Sequence, residues 1–211
     1  MKPYLLLLLL SSGLPLHAQQ PRPEAASDPA AAFHRTHVGQ VLFSAAPIPA
    51  TAYASAAYLG FTTYALTPQS NLYLTAFMGT SLPNVLEHLA PEAQRTDFMK
   101  RGSYQYCFYV DEQLVYTAYL EPEPQYLAER DVSTVLHQPL LDARAARDKN
   151  SLWNRFLANG GKKALPAGHH LLRLVIRPYI QSPLLKVGPT LAAGQVALDI
   201  TAPAALVKRP R

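Results

Sequence analysis

Two pairs of histidines are the residues of this sequence whose type and spacing could bind a metal ion or transfer protons. His169 and His170 open the apolar run GHHLLRLVIRPYI, and His34 and His37 are three residues apart in FHRTHVG. Neighbouring residues of a strand point to opposite faces, so His169 and His170 cannot chelate one metal ion without a bulge. The spacing of His34 and His37 would suit a metal on a helix, but no cysteine or carboxylate follows at ligand spacing. We therefore predict structural histidines, no metal site and no cofactor.

Nucleophilic catalysis would need a serine or a cysteine in an activating environment. The sequence contains no Gly-x-Ser-x-Gly, Ser-x-x-Lys or His-Glu-x-x-His motif. Its one cysteine, Cys107, lies between aromatic residues in YQYCFYV, which is typical of a buried strand residue. NGGKK lacks the first glycine and the hydroxyl residue of a phosphate loop. The sequence thus predicts a protein that is not an enzyme. The alternative is an envelope hydrolase whose serine, histidine and aspartate are brought together only by the fold.

Short strands are the main structural signal around these residues. About seven segments are rich in Tyr, Phe, Val, Leu and Thr and are separated by Gly, Pro, Asn and Asp, the pattern of a two-sheet sandwich. They are GQVLFSAAPI, YLGFTTYAL, NLYLTAFMG, SYQYCFYV, QLVYTAYL, LLRLVIRPYI and GQVALDIT. YQYCFYVDEQLVYTAYL reads as a hairpin, because apolar residues alternate on both sides of the polar DEQ turn. We predict a mainly β fold, an immunoglobulin-like antiparallel β-sandwich with two or three short helices.

Two segments with helical periodicity interrupt the strands. SLWNRFLANGG begins with Ser151 as an N-cap and ends at Gly160 as a left-handed stop. SLPNVLEHLAPEAQRTDFMKRG begins with Ser81 as a cap and is broken by Pro91. Residues 121–150 are predicted to form a long connecting region that contains one strand around VSTVLH. As core residues we predict Trp153, Phe156, Phe108, Tyr106, Leu174 and Ile176.

The first residues have the composition of a secretory signal peptide. Lys2 precedes a leucine block from Leu5 to Leu10, and small Ala18 offers a cleavage site. The apolar block is too short for the roughly 20 residues of a membrane-spanning helix. We predict a signal peptide over residues 1–18, a Pro/Ala-rich linker over 19–32, one β-sandwich domain over 33–200 and a basic tail over 201–211. The mature protein would be periplasmic or secreted, with no stable membrane insertion.

Charge and cysteine content narrow the possible partners. The formal charge is +5, and removal of the signal peptide takes away only Lys2 and leaves +4, with the basic residues scattered along the chain. Such a charge serves solubility or attracts anionic envelope polymers. Neither scattered charge nor export indicates a nucleic-acid partner. A single cysteine, Cys107, excludes an internal disulfide and lies far from the position where a lipoprotein would carry its lipid.

Four sequence segments, in this order, are similar to parts of a known module: RGSYQYCFYVDEQLVYT, SLWNRFLANGG, ALPAGHHLLRLVIRPYI and LKVGPTLAAGQVALDI. Together they resemble the N-terminal, non-catalytic module that precedes a beta-lactamase-type serine hydrolase domain in some exported bacterial proteins. The resemblance covers Leu72 to Ile200 and implies an exported β-rich accessory domain without catalytic residues. This chain stops where the hydrolase domain would begin, so it is expected to be either a free-standing module or a truncated remnant.

The predicted function is therefore that of an exported accessory or binding module. Its partner would be an exported protein, such as a serine hydrolase, or an envelope glycan. RPYI and LLKVG combine an aromatic residue, cations and a proline-terminated strand edge that a partner strand could extend. We predict Arg177, Tyr179 and Lys186 as partner-binding residues. Docking to a separately encoded hydrolase would require a contiguous exposed apolar patch on one sheet.

Overall fold

The computed structural model describes residues 29–49, 60–67, 69–90, 101–122, 134–181 and 185–201. The predicted signal peptide lies outside these residues, as do most of the predicted linker and tail and the helical segment that was expected after Pro91. The described strands are β1 (Val41–Ser44), β2 (Thr63–Leu66), β3 (Leu72–Met78), β4 (Gly102–Val110), β5 (Gln113–Leu120), β6 (Thr134–Leu141), β7 (Gly168–Ile180), β8 (Lys186–Val187) and β9 (Ala192–Ile200). The helices are α1 (Pro29–His37), α2 (Leu82–Leu89), α3 (Leu152–Phe156) and α4 (Lys162–Ala164), and a π-helical turn (Leu157–Gly161) joins α3 to α4.

The strands form two sheets. The small sheet has the order β1-β3-β6, and the large sheet has the order β2-β9-β7-β4-β5 with β8 paired to the end of β7. The predicted β-sandwich with short helices is confirmed. One pair departs from the expected antiparallel arrangement, because β2 runs parallel to β9. The immunoglobulin-like strand arrangement stays a prediction.

The β4–β5 hairpin forms where the alternation of apolar residues predicted it. Tyr106 lies opposite Ala118, and the turn is made by Asp111 and Glu112 with φ of 47° and 68°. Two positive φ values give a tight turn whose twist matches that of the flanking strands. A register shift after Phe108 marks a β-bulge before the turn. β6 likewise includes the second half of the strand that was expected around VSTVLH.

A backbone junction joins the two sheets at one corner. The Ala193 amide donates to the Gly39 carbonyl at 2.9 Å, and Gln40 forms a parallel bridge with Ala193. Here β1 crosses so close to β9 that a Cβ at Gly194 would lie 2.0 Å from the Val41 carbonyl oxygen. Position 194 therefore has to be glycine for the two sheets to meet.

The core lies between the sheets, and the short helices close one side of it. All six predicted core residues are at most 2% exposed. They are Trp153, Phe156, Phe108, Tyr106, Leu174 and Ile176. The Phe156 ring stacks on Phe108 with centroids 4.8 Å apart, and Trp153 lies 5.1 Å from Phe156. The helix α3 thus packs its apolar face against the inner side of β4, as its periodicity predicted.

The helix ends agree with the sequence in part. The Ser151 hydroxyl accepts the Asn154 amide at 3.3 Å, so the predicted cap of α3 is confirmed. Gly160 has φ of 116°, but the helix resumes after this kink as α4 instead of stopping. Ser81 occupies the N-cap position of α2 without a side-chain cap hydrogen bond. At this helix Pro83 lacks an amide hydrogen, so the first turn has fewer donors that need a cap.

The first helix lies partly in the segment that was predicted as linker, residues 19–32. α1 begins at Pro29, inside the segment that was predicted as linker, so the folded part begins before Phe33. Its residue His34 is only 8% exposed, and the His34 Nε2 atom lies 3.0 Å from the Met78 carbonyl oxygen. This contact anchors α1 on the small sheet and explains why an alanine-rich segment without strong periodicity is helical.

Candidate functional site

The histidine pair of β7 points to opposite faces of the large sheet, as predicted. His169 Nδ1 lies 3.5 Å from Asp199 Oδ1 on the outer face, whereas His170 Nδ1 lies 2.8 Å from Asp111 Oδ2. The other pair is also engaged locally, since His37 Nδ1 lies 2.8 Å from the Phe33 carbonyl oxygen. Among the residues that the structure describes, no group of three or more His, Cys, Asp or Glu side chains could hold a metal ion.

The contact between His170 and Asp111 fixes the β4–β5 turn to β7. Asp111 Oδ1 accepts the Leu171 amide at 2.8 Å, and the Asp111 amide donates to the Leu171 carbonyl at 3.0 Å. The His170 side chain is 13% exposed and the Asp111 side chain is 53% exposed. The hydrogen bond from His170, followed by that from the Leu171 amide, holds the pKa of Asp111 below its usual range. The pair therefore stabilises a turn that has two non-glycine residues at positive φ.

The pair of His170 and Asp111 resembles the histidine and aspartate of a hydrolytic triad. Its chemistry therefore depends on what the second ring nitrogen of His170, Nε2, contacts. His170 Nε2 is buried and has no hydrogen-bond partner in the described part of the chain. A general base needs its proton donor within hydrogen-bond reach. No serine or cysteine of the described residues hydrogen-bonds to this nitrogen, and the contacts that the structure shows for the pair are those that hold the turn.

The strand edge expected at RPYI does not exist, because β7 lies inside the large sheet. Tyr179 pairs with Ser103 of β4 on one side and with Val187 of β8 on the other. Its backbone groups are thus directed at neighbouring strands, and a partner strand could not pair with β7 here. The expected mode of binding is wrong for this strand, and a role of Arg177 and Tyr179 in binding has to come from their side chains on the outer face.

Lys186 does not join that face. It lies opposite Ile180, whose side chain is buried, and the Lys186 Nζ atom donates to the Leu89 carbonyl at 3.1 Å. Leu89 is the last residue of α2, so the ammonium group satisfies a free carbonyl at the negative end of the helix. The structure therefore separates Lys186 from Arg177 and Tyr179 and gives it a contact that stabilises the fold.

The outer face of the large sheet carries a group of residues that we term the tyrosine–arginine patch. It consists of Arg177, Tyr119, Tyr179 and Val187. The Tyr119 and Tyr179 rings meet across β4, with centroids 4.4 Å apart and an interplanar angle of 42°. Val187 is in register with Tyr179 and is 45% exposed, and Tyr119 is 44% exposed. The patch spans β5, β7 and β8 and forms a partly exposed, mainly aromatic and apolar surface, in which Arg177 and Tyr179 are half-buried.

A layer of buried polar side chains supports the patch from below. Gln105 lies between Tyr119 and Arg177 in the register and is 8% exposed. Its amide nitrogen donates to the Tyr119 hydroxyl at 3.4 Å, and its Oε1 accepts from the Cys107 thiol at 3.6 Å. Burial raises the pKa of the Cys107 thiol, so it stays neutral near neutral pH. Cys107 thus lies in a buried strand position, as predicted, and supports the surface.

The sequence did not identify Tyr119 and Val187 as part of this surface. Tyr119 is two residues after Thr117 in β5, and residues two apart in a strand point to the same face. The alternation of the hairpin therefore places Tyr119 on the outer face. Its proximity to Tyr179 depends on the β4–β7 register, which hydrophobic alternation alone does not determine. Val187 joins the patch through β8, a strand of only two residues, and such a strand has too short a pattern to be detected.

Comparison of the chain with protein-family models, with curated proteins and with solved structures found no match. Among the residues that the structure describes, no helix is long and apolar enough to cross a membrane.

Proposed function

We propose that this chain is an exported, non-catalytic accessory module that binds a partner in the cell envelope through the tyrosine–arginine patch. The observation that carries the proposal is the patch itself, in which two tyrosines, an arginine and an exposed valine are contiguous on one rigid sheet. Tyrosine and arginine are the side chains that most often dominate binding energy at protein interfaces. Exposed apolar side chains that occur singly need no explanation, but a contiguous group on one face indicates a binding surface.

The composition of the patch supports binding more than catalysis. Tyr119 and Tyr179 are held by their mutual contact and by the hydrogen bond from Gln105 to Tyr119. Side chains that are already ordered lose little conformational entropy on binding, which favours affinity. The resemblance to a module that precedes exported serine hydrolase domains supports an exported protein as the partner class, and an envelope glycan is the other class to be tested.

Site-specific photo-crosslinking in the producing cell would test this proposal. A photoreactive amino acid at Val187 is expected to give a saturable adduct with an envelope component. Val38 provides a matched control, because it is 47% exposed against 45% for Val187 and lies outside the large sheet. A Tyr119→Ala, Tyr179→Ala double variant should remove the Val187 adduct. Equal adducts from Val187 and Val38, or an adduct that survives the double variant, would contradict the proposal.

A second candidate, an envelope hydrolase, is favoured by one observation, the 2.8 Å contact between His170 and Asp111. Activity of the full chain on peptidoglycan and on esters, compared with that of His170→Gln, would test it. Hydrolysis that His170→Gln abolishes, while the thermal stability is retained, would replace the binding proposal. Equal background hydrolysis by both proteins would leave the histidine with its role in the turn.

A further inference from the structure

We infer that Arg177 forms a subsite for a carboxylate side chain of a protein partner, next to which an apolar side chain of that partner packs on Tyr179 and Val187. This inference rests on the proposed function and names the chemistry of the partner. The occupant is an acidic residue with an apolar neighbour, presented by a protein surface or an extended segment.

Arg177 lacks a counter-charge among the residues that the structure describes. Its cross-strand neighbour is Gln105, whose amide and carbonyl groups are engaged with Tyr119 and Cys107. The thiol of Cys107 is neutral and cannot serve as an anion. In the described part of the chain Arg177 makes no ion pair, although it is partly buried. A partly desolvated guanidinium group gains more from an incoming carboxylate than a fully hydrated one does.

Two other charged side chains of this face, Asp199 and Arg173, have partners of their own. Asp199 contacts His169. His169 precedes Arg177 by eight residues in β7, so the two positions are roughly 26 Å apart at the rise of a strand. Arg173 lies 5.4 Å from the centre of the Tyr109 ring, so it has an aromatic partner within the sheet. Of these two outward arginines of β7, Arg177 alone is next to the Tyr119–Tyr179 pair and has no aromatic or acidic contact among the described residues.

The shape of the patch favours a protein partner over a glycan. Sugars stack on the open faces of aromatic rings, but Tyr119 and Tyr179 are tilted by 42° toward each other at 4.4 Å and present no common plane. Val187, in register with Tyr179, is an aliphatic side chain that is 45% exposed, and Leu185, two residues before it in the chain, is 67% exposed. Aliphatic groups gain free energy by burial against apolar side chains. A carboxylate on Arg177 and an apolar side chain beside it satisfy both features at once.

Nuclear magnetic resonance of the full mature chain would test the inference with defined probes. The probes are the peptides N-acetyl-Val-Glu-Leu-amide and N-acetyl-Val-Gln-Leu-amide, and the observed signals are Arg177 Nε–H and the rings of Tyr119 and Tyr179. The glutamate peptide is expected to shift these signals saturably and to bind about tenfold more tightly than the glutamine peptide, as one charge-assisted contact predicts. Arg177→Gln should remove this preference. Arg173→Gln is the matched control and should retain it.

Four results of the resonance experiment would overturn the inference. The first three are an absence of shifts up to about 10 mM peptide, equal binding of both peptides, and an unchanged preference in Arg177→Gln when its Trp153 fluorescence shows a native fold. A fourth is that an oligomer of polygalacturonate shifts the tyrosine signals and the glutamate peptide does not, which would assign the patch to an anionic glycan. Crosslinking at Val187 distinguishes failure of the carboxylate subsite from failure of the proposed function. An adduct that Arg177→Gln leaves unchanged overturns only the carboxylate subsite. Absence of any adduct overturns the proposed function.

Discussion

Replacement of Gly194 by alanine should separate the two sheets at the corner where they meet. The new Cβ would lie 2.0 Å from the Val41 carbonyl oxygen and 2.9 Å from the Val41 carbonyl carbon. Both atoms belong to the backbone, so no side-chain rotation can relieve the overlap. β1 has to move, and it is held there by the 2.9 Å hydrogen bond from Ala193 to Gly39.

The expected loss of stability follows from three contributions. Overpacking of a close contact costs about 1–3 kcal/mol. A lost hydrogen bond between Ala193 and Gly39 adds about 1 kcal/mol. The smaller entropy of an unfolded chain with alanine in place of glycine offsets about 0.4–1 kcal/mol. The free energy of unfolding should therefore fall by about 1–3.5 kcal/mol, and the melting temperature by roughly 2–14 °C for a domain of this size.

Urea unfolding followed by tryptophan fluorescence measures this change directly. Trp153 is the only tryptophan and is 2% exposed, so its emission reports the loss of the core. Gly79→Ala is the matched control, because its Cβ would meet only the exposed side chain of Val38, at 3.1 Å. This control should change the free energy of unfolding by less than about 0.5 kcal/mol. Equal effects of Gly194→Ala and Gly79→Ala would refute the reasoning about the sheet junction.

Three further predictions concern single side chains. Asp111→Asn keeps a residue type that tolerates positive φ and should lower stability at pH 7 by under about 1 kcal/mol, because the pair with His170 is partly exposed. Since the pKa of Asp111 is lowered in the folded state, its contribution is fully present above about pH 4 and is lost as the pH falls through the lowered pKa, so the difference between variant and wild type in urea unfolding should be constant above about pH 4 and shrink as the pH falls further. Lys186→Met should lower the free energy of unfolding by about 1 kcal/mol through the lost bond to the Leu89 carbonyl, while crosslinking from Val187 is unchanged; a lost adduct would return Lys186 to the binding surface. Cys107 should react with a disulfide reagent at pH 8 about 100-fold more slowly in the native protein than in urea, and equally fast reaction in both would contradict its burial.

The core and the hairpin could be predicted from the sequence because their patterns are local. Tyr106 and Phe108 alternate with polar or small residues, and Trp153 and Phe156 share one helical face, so their burial follows from strand and helix periods. The opposite directions of His169 and His170 follow from the same period of two. Each of these features needs only a few neighbouring residues to define it.

The candidate site could be predicted only in part, because it depends on strand order. Arg177 and Tyr179 were identified from their types, but the expected strand edge was absent since β4 and β8 both pair with this part of β7. The same pairing turned Lys186 toward α2. Tyr119 became a neighbour of Tyr179 through a register that spans two strand pairs. Non-local pairing of this kind leaves no trace in the periodicity of one segment.

The position of β9 has a consequence for the route by which the chain folds. β9 ends at Ile200, yet it lies inside the large sheet between β2 and β7, and Thr63 pairs with Ala197 across almost the whole described chain. The large sheet cannot be completed until the last of these residues is free to pair, and contacts this distant in sequence make folding slow. A ribosome or a translocation channel that still holds residues 192–200 therefore leaves β2 and β7 without the strand that lies between them. The sheet that carries the tyrosine–arginine patch is complete only after β9 has been released.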